Sequence, residues 1–396
     1  MPGRVVSEDP YAQAAGRLRR ASRAREPASM AEKLTLLRNP RSYRQRPSRI
    51  RVIETHFSWL FLTPRLVYKL KKPLRHASMD YRTLAARARG CRAEVRLNRR
   101  LAPAIYRSVE TLRRDRTGNL RLGGNGRVED YLVKMRRVPD RALLDRVLRR
   151  RRLSSRDLAR ILRCLVAFYR REKSRPIAAK DYRQRLRTEC LDSERVLERQ
   201  RRPVVSSLVK AVTAAQRRYI RLNARRLDER GAHVLEGHGD LRAEHVCLTS
   251  GIAVIDCLEF DRSLRLRDPL HDLATLALEC ARLRGDALGL AILRGYCQRS
   301  GDRVPDDLLY FYLSLSALTR ARLAAWHVHD PQFPNPRPWL RRAASYLRDA
   351  QRYAVRSLRE SLRAAREANA PATRTAATRA AVYRWRSQAA GRSAAH

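Results

Sequence analysis

The sequence predicts an α+β chain, with a small N-terminal sheet lobe followed by a larger, mostly helical C-terminal lobe. Three observations predict it. Branched and aromatic residues crowd strand-length runs between residues 51 and 138. From 141 onward, apolar residues recur at helical spacing. One polar interruption of short strands and loops, from 232 to 262, breaks the helical half and collects the residues able to do chemistry. The chain of 396 residues has room for a two-lobed domain of about 300 residues plus ragged ends.

Residues 1–29 are polar, rich in Arg and Ala and without sustained period, so they read as a disordered basic arm. Met30 opens a better-patterned stretch and is an alternative start of translation. Residues 30–138 form the first lobe. Within it, Arg51–Leu62 reads as one strand, Thr63-Pro64-Arg65 as a turn, and 66–72 as a second strand stopped by Pro73. Residues 80–101 carry Leu84, Cys91, Glu94, Val95 and Leu101 in an amphipathic helical pattern. Strands follow at 105–113 and 130–138, split by the turn Gly123-Gly124-Asn125-Gly126.

Residues 139–366 form the helical lobe. Leu158, Ile161, Leu162, Leu165, Val166 and Tyr169 share one helix face, and Leu208, Val209, Val212, Tyr219 and Ile220 share another. Further helices are expected at 269–283, 286–299, 305–325 and 337–363. From 367 to 396 the chain alternates Ala, Thr and Arg without a motif and reads as a loose, disordered tail.

The net charge is +48 and the isoelectric point about 11.5. Such a balance ordinarily marks a nucleic-acid partner. Here 79 of the 87 basic residues are arginine, spread over nearly every predicted helix and not gathered in a stripe. Heavy Arg and Ala use with little Lys fits a codon bias toward G and C. Nonspecific contact with nucleic acid or another anionic surface follows from the charge alone. No apolar run reaches the roughly 18 residues of a membrane span, and no secretory signal opens the chain. Seven scattered cysteines without a C-x-x-C pair indicate reduced thiols, mostly in core positions. A cytoplasmic protein is expected.

The chemistry lies between Glu236 and Asp256. Val246-Cys247-Leu248 and Ile252–Ile255 are short apolar strands flanking the turn Thr249-Ser250-Gly251. Pairing them with Val246 opposite Ile255 sets Asp256 directly beside His245, with the Asp240 loop within reach. Two carboxylates and an imidazole at one end of a hairpin suit divalent-metal binding and general-base work.

His238-Gly239-Asp240, followed by that hairpin and Ile255-Asp256, resembles the catalytic and metal loops of the aminoglycoside phosphotransferase and choline kinase family, which has a protein-kinase-like two-lobed fold. The segments around Glu54–Trp59, Val67–Pro73 and Arg96–Pro103 are similar to an uncharacterised bacterial subfamily, some members of which carry an added P-loop ATPase domain. This chain has no G-x-x-x-x-G-K. The resemblance spans roughly residues 30–330 and makes 30–138 the nucleotide-binding lobe. It implies that Lys69 pairs with nucleotide phosphates and that Glu94 is its helix partner. Asp240 would position or deprotonate an acceptor hydroxyl, and Asp256 would bind Mg²⁺. Asp272 would brace the catalytic loop. Asp268 fits a helix N-cap ahead of Pro269.

Alternation puts Lys69 and Lys71 on one strand face, so Lys71 remains an alternative to Lys69, as does Lys72. His238 reads as a backbone anchor. His245 stands where the family has Asn, as a second metal-ligand candidate. Glu54–Ser58 occupies the place of a glycine-rich loop, where His56 and Ser58 either touch phosphate or fill a strand. The implied activity is ATP- and Mg²⁺-dependent transfer of the γ-phosphate to a small-molecule hydroxyl. The alternatives are a nucleotide-binding pseudokinase and an Arg-rich nucleic-acid-binding protein.

Overall fold

A computed structural model describes residues 26–76, 79–199, 203–329 and 335–369. The disordered arm and tail expected at 1–29 and 367–396 fall almost wholly outside these residues. The α+β order is as the sequence predicts. The chain divides into two compact units, residues 1–177 with 230–303, and residues 178–229 with 304–396.

The first unit opens with helix α1 (Met30–Arg38). Ser29 caps it by accepting from the Glu32 N–H, while Glu32 accepts back from the Ser29 N–H. Strands β1 (Arg51–Glu54), β2 (Ser58–Leu62) and β3 (Leu66–Lys71) follow, then the short β4 (Arg75–His76) and β5 (Met79–Asp80). Helix α2 (Leu84–Asn98) precedes β6 (Tyr106–Arg114), β7 (Leu120–Leu122) and β8 (Arg127–Arg136). The main sheet is antiparallel in the order β1-β2-β3-β8-β6-β7.

The single strand expected over 51–62 is instead a hairpin, in which Glu54 pairs with Trp59. Thr55 closes it: its hydroxyl accepts from the Ser58 N–H and donates to the Ser58 carbonyl. Apolar strand composition runs through this turn and hides it.

Alternation along β3 separates two cores. Val67 faces a cluster with Cys91, Val95, Val133 and Met135, on the side of α2. Tyr68 and Leu70 join Leu37 of α1, Phe61 and Leu132 in the other. Lys69 and Lys71 share Val67's parity, which aims them toward α2.

Later in this unit come α3 (Leu144–Arg149) and α4 (Ser155–Arg171). The second unit holds α5 (Ala179–Glu198), α6 (Pro203–Leu222) and most of α7 (Ala224–Arg230). Back in the first unit are β9 (Leu235–Glu236), the hairpin β10 (Val246–Leu248) and β11 (Ile252–Val254), β12 (Leu266–Arg267), α8 (Pro269–Arg284) and α9 (Asp286–Ser300). Helices α10 (Asp306–Trp326) and α11 (Arg337–Asn369) complete the second unit, whose core includes Tyr219 stacked on Phe311 at 4.4 Å and a Tyr182–Tyr312 hydroxyl contact of 2.9 Å. No helix among the described residues is long and apolar enough to cross a membrane. All seven cysteines are free, five of them buried.

Candidate active site

Every site residue named from the sequence lies in the first unit. The β10–β11 register differs by one residue from the expected one: Val246 pairs with Val254 and Leu248 with Ile252, leaving a three-residue turn. Thr249 sets that length by bonding the Gly251 carbonyl through both its N–H and its hydroxyl. The slip alone would move Asp256 off His245. Asp256 instead takes a left-handed φ of 64°, and its Oδ2 lies 3.6 Å from His245 Nε2. Its N–H donates to the Tyr106 hydroxyl, which holds this uncommon conformation in place.

Lys69 meets two carboxylates, Asp256 Oδ1 at 2.7 Å and Glu94 Oε1 at 2.9 Å. Glu94 is shared: its other oxygen accepts from Lys71 Nζ at 2.6 Å. Lys71 also pairs with Glu259, whose Oε1 accepts from the Tyr81 hydroxyl at 2.7 Å. Lys72 points elsewhere, to Glu54 at 2.6 Å and over the Trp59 ring. The two same-face lysines differ in access. The Lys71 side chain is 1% exposed and closed off, whereas Lys69 touches the Asp256 side chain, which is 44% exposed.

Burial would push the Lys69 ammonium toward neutrality, but Asp256, then Glu94, then Glu259 hold its pKa well above the usual value. Crowding by protein would raise the Asp256 pKa, yet Lys69 carries it far below the ordinary carboxylate range. The ion pair therefore stays ionised at any working pH.

The Asp240 loop is fixed from behind. Asp272 accepts from the N–H groups of His238 (2.7 Å) and Gly239 (2.9 Å) and from the Tyr169 hydroxyl (2.9 Å). Gly237 permits this approach, since a Cβ there would lie 2.5 Å from Asp272 Oδ2. Gly239 takes φ +85° at the bend. His238 Nε2 donates to the Ile255 carbonyl at 3.0 Å, and Nδ1 accepts from the Asp240 N–H. Its ring is buried, which lowers its pKa to about 4 and keeps it neutral. Asp268 caps α8 at Leu270 N–H and pairs with Arg230 through both oxygens.

His245 joins the two loops. Its Nδ1–H donates to the Asp240 carbonyl at 2.8 Å, because a carbonyl can only accept. Nε2 then carries the lone pair, and an Arg242 N–H donates to it at 3.0 Å. Arg242 Nε also lies 3.0 Å from Asp240 Oδ2. His245 can ligate a metal only when Arg242 releases Nε2; as it stands, it positions the Asp240 backbone. His56 packs against Phe57 and His76, and Ser58 is buried at the start of β2, paired with Lys71 across the sheet.

Among the described residues there is no cluster of three His, Cys, Asp or Glu side chains poised for a metal. Mg²⁺ is commonly held by one or two carboxylates, with phosphate oxygens and water completing the octahedron, so an accessible, fully ionised Asp256 fits that need.

Several positioning residues carried no role in the sequence reading. Arg100 donates to the Glu236 and Gly237 carbonyls, and Asn98 accepts from the Cys257 N–H. Both belong to the Arg96–Pro103 segment, whose similarity to the bacterial subfamily was the available signal. Glu259 and Tyr81 had none beyond the parity of Lys71 with Lys69.

The sequence profile of the phosphotransferase enzyme family, APH, matches residues 65–308. Uncharacterized proteins of Mycobacterium tuberculosis and Mycobacterium bovis are 31% identical over 292 residues, covering 69% of this chain and 54% of theirs. The chain thus spans about half the length of those relatives. Among solved structures, a choline/ethanolamine kinase family protein from Mesorhizobium loti is 13% identical with a TM-score of 0.48, covering 83% of this chain and 99% of its own. The GDP complex of aminoglycoside 2′-phosphotransferase-IIIa is 14% identical with a TM-score of 0.46, covering 77% and 93%. On the family profile and the mycobacterial relatives, this chain belongs to the phosphotransferase enzyme family.

Proposed function

We propose that the chain transfers the γ-phosphate of ATP, with Mg²⁺, to a hydroxyl of a small molecule. Residues 30–138 act as the nucleotide lobe and 139–366 carry the catalytic and metal loops. One observation carries the reading: the His245 ring contacts the Asp240 loop on one side and faces Asp256 on the other, while Asp256 meets Lys69. Lys69, on β3, is thereby joined to the two loops that carry Asp240 and Asp256.

Lys69, released from Asp256, pairs with phosphate oxygens while Glu94 keeps its ammonium oriented. Asp256 would hold Mg²⁺, which when bound would supply charge neutralisation at the phosphates. Asp240 orients the acceptor hydroxyl and accepts its proton as the acceptor O–P bond forms and the bond from the γ-phosphorus to the β,γ-bridging oxygen breaks, leaving ADP. His238, neutral and buried, keeps the Asp240 backbone in place and takes no part in proton transfer. His56, at the β1–β2 turn, lines the phosphate side, while Ser58, buried at the start of β2, fills the strand. The acceptor is a small molecule with a free hydroxyl, the substrate class that membership of the phosphotransferase enzyme family favours.

The test is ADP formation over a panel of hydroxyl compounds with wild type and Asp240→Asn. Turnover in the variant should fall by about a hundredfold or more, while Mg²⁺-dependent stabilisation by nucleotide persists. Equal turnover in the two proteins would sink the assignment of Asp240. A second reading, a pseudokinase, is favoured by one observation, the imidazole in place of Asn with its lone pair held by Arg242. Nucleotide stabilisation with no ADP from any acceptor or from water would select it.

A further inference from the structure

The surroundings of Lys69 contain more ionic machinery than phosphate binding requires. Two ammoniums and three carboxylates, Lys69, Lys71, Glu94, Asp256 and Glu259, form one connected cluster, and Lys71 within it is sealed from solvent. A sealed lysine cannot bind a phosphate. Its partners suggest another task.

Glu259 follows Asp256 by three residues. The backbone of this segment is anchored to other elements: Asp256 N–H to Tyr106, Cys257 N–H to Asn98, and Leu258 N–H to the His238 carbonyl. Its ties to β3 run through side chains, Lys69 with Asp256 and Lys71 with Glu259. The first tie must open whenever Lys69 engages a phosphate. The second remains, and Tyr81 fixes it by donating to Glu259 while its ring lies 4.9 Å from Lys71 Nζ.

We propose that Lys71, Glu259 and Tyr81 form a buried latch that holds the Asp256 segment at a fixed distance from β3 while Lys69 is occupied by nucleotide. They are positioning residues that act through Asp256 and Lys69. The proposal rests on the phosphotransferase reading. Because Lys71 also holds the second oxygen of Glu94, losing it would let Glu94 draw Lys69 away from the nucleotide.

The experiment follows thermal stabilisation by a nonhydrolysable ATP analogue as Mg²⁺ is titrated, with kcat and KM measured alongside. Lys71→Met and Glu259→Gln should raise the Mg²⁺ midpoint and lower kcat, each by about tenfold, with acceptor KM changed far less. Lys71→Arg should recover part of the loss, and the double variant should be no worse than the poorer single one. Lys33→Met, in a separate buried ion pair with Asp130, controls for simple destabilisation: its melting temperature falls and its Mg²⁺ midpoint stays put. If Lys71→Met or Glu259→Gln fails to fold, Tyr81→Phe deletes one hydroxyl and should still raise the midpoint by about threefold. Variants that melt earlier yet keep wild-type midpoint and kcat would overturn the latch and leave a merely structural ion pair. A wild-type protein with no Mg²⁺-dependent response to nucleotide would instead remove the phosphotransferase reading, and the latch with it.

Discussion

Two of the buried ionic networks in the first unit are built to opposite ends. In one, Asp130 is fully buried and accepts from Lys33 and Arg87, both at 2.7 Å. Arg87 also donates through Nη1 to the Tyr81 and Arg82 carbonyls. This network has more cation than anion and little access to water. The other has three carboxylates to two ammoniums and opens at Asp256. Excess negative charge at an accessible carboxylate attracts a further cation; a sealed, cation-rich cluster does not. The same residue types therefore serve cohesion in one place and ligand binding in the other, and the difference lies in charge balance and exposure.

Breaking the open network should give the largest effect. Asp256→Asn should abolish Mg²⁺-dependent nucleotide stabilisation and cut turnover by about a hundredfold or more, with folding retained because Asn tolerates the left-handed φ of this position. Thermal shift with and without Mg²⁺, followed by a turnover assay, checks this. The sealed network should respond the other way. Asp130→Asn leaves two buried cations without a counter-charge and should cost about 3–5 kcal/mol in urea unfolding, with the Mg²⁺ midpoint of the surviving folded protein unchanged.

Protonation sharpens the contrast. Asp256, held by cations, stays charged, whereas His238 is kept neutral by burial, with its pKa near 4 against the usual 6.5. Between those two values the unfolded chain binds a proton at this site and the folded chain does not. Stability from His238 is therefore complete above pH 6.5 and is lost as pH falls toward 4. Urea midpoints over that range should decline less steeply in His238→Gln than in wild type.

Smaller effects follow at the supports. Gly237→Ala drives a methyl against Asp272 and should cost about 1–3 kcal/mol while slowing turnover, because the brace carries the Asp240 loop. Ser29→Ala removes the α1 cap on the side of the sealed network and should cost about 1 kcal/mol with no catalytic change.

Much of this was legible from residue order. Strand alternation put Lys69 and Lys71 on one face, and the family resemblance named Glu94 as the helix partner of Lys69, a contact the structure has. Asp268 before Pro269 announced a capped helix start, and the structure has both. Local hydrogen bonds defeated the rest. Thr55 turns an apolar stretch into a hairpin, and Thr249 holds the β10–β11 turn in a form that slips the pairing by one residue, from Val246–Ile255 to Val246–Val254. Composition does not record either choice. The proximity of Asp256 to His245 survives the register slip through a positive φ at an aspartate, which no spacing rule anticipates. The Arg242 donation to His245 depends on a side chain folding back three residues, beyond the reach of pattern reading.

A crystal of the protein with Mn²⁺ in place of Mg²⁺ and a nonhydrolysable ATP analogue, read by anomalous scattering, is the most direct test. The account predicts a metal peak bonded to an Asp256 oxygen, with Lys69 turned from that carboxylate onto a phosphate. A metal bound away from Asp256, or a triphosphate lying clear of both residues, would contradict it.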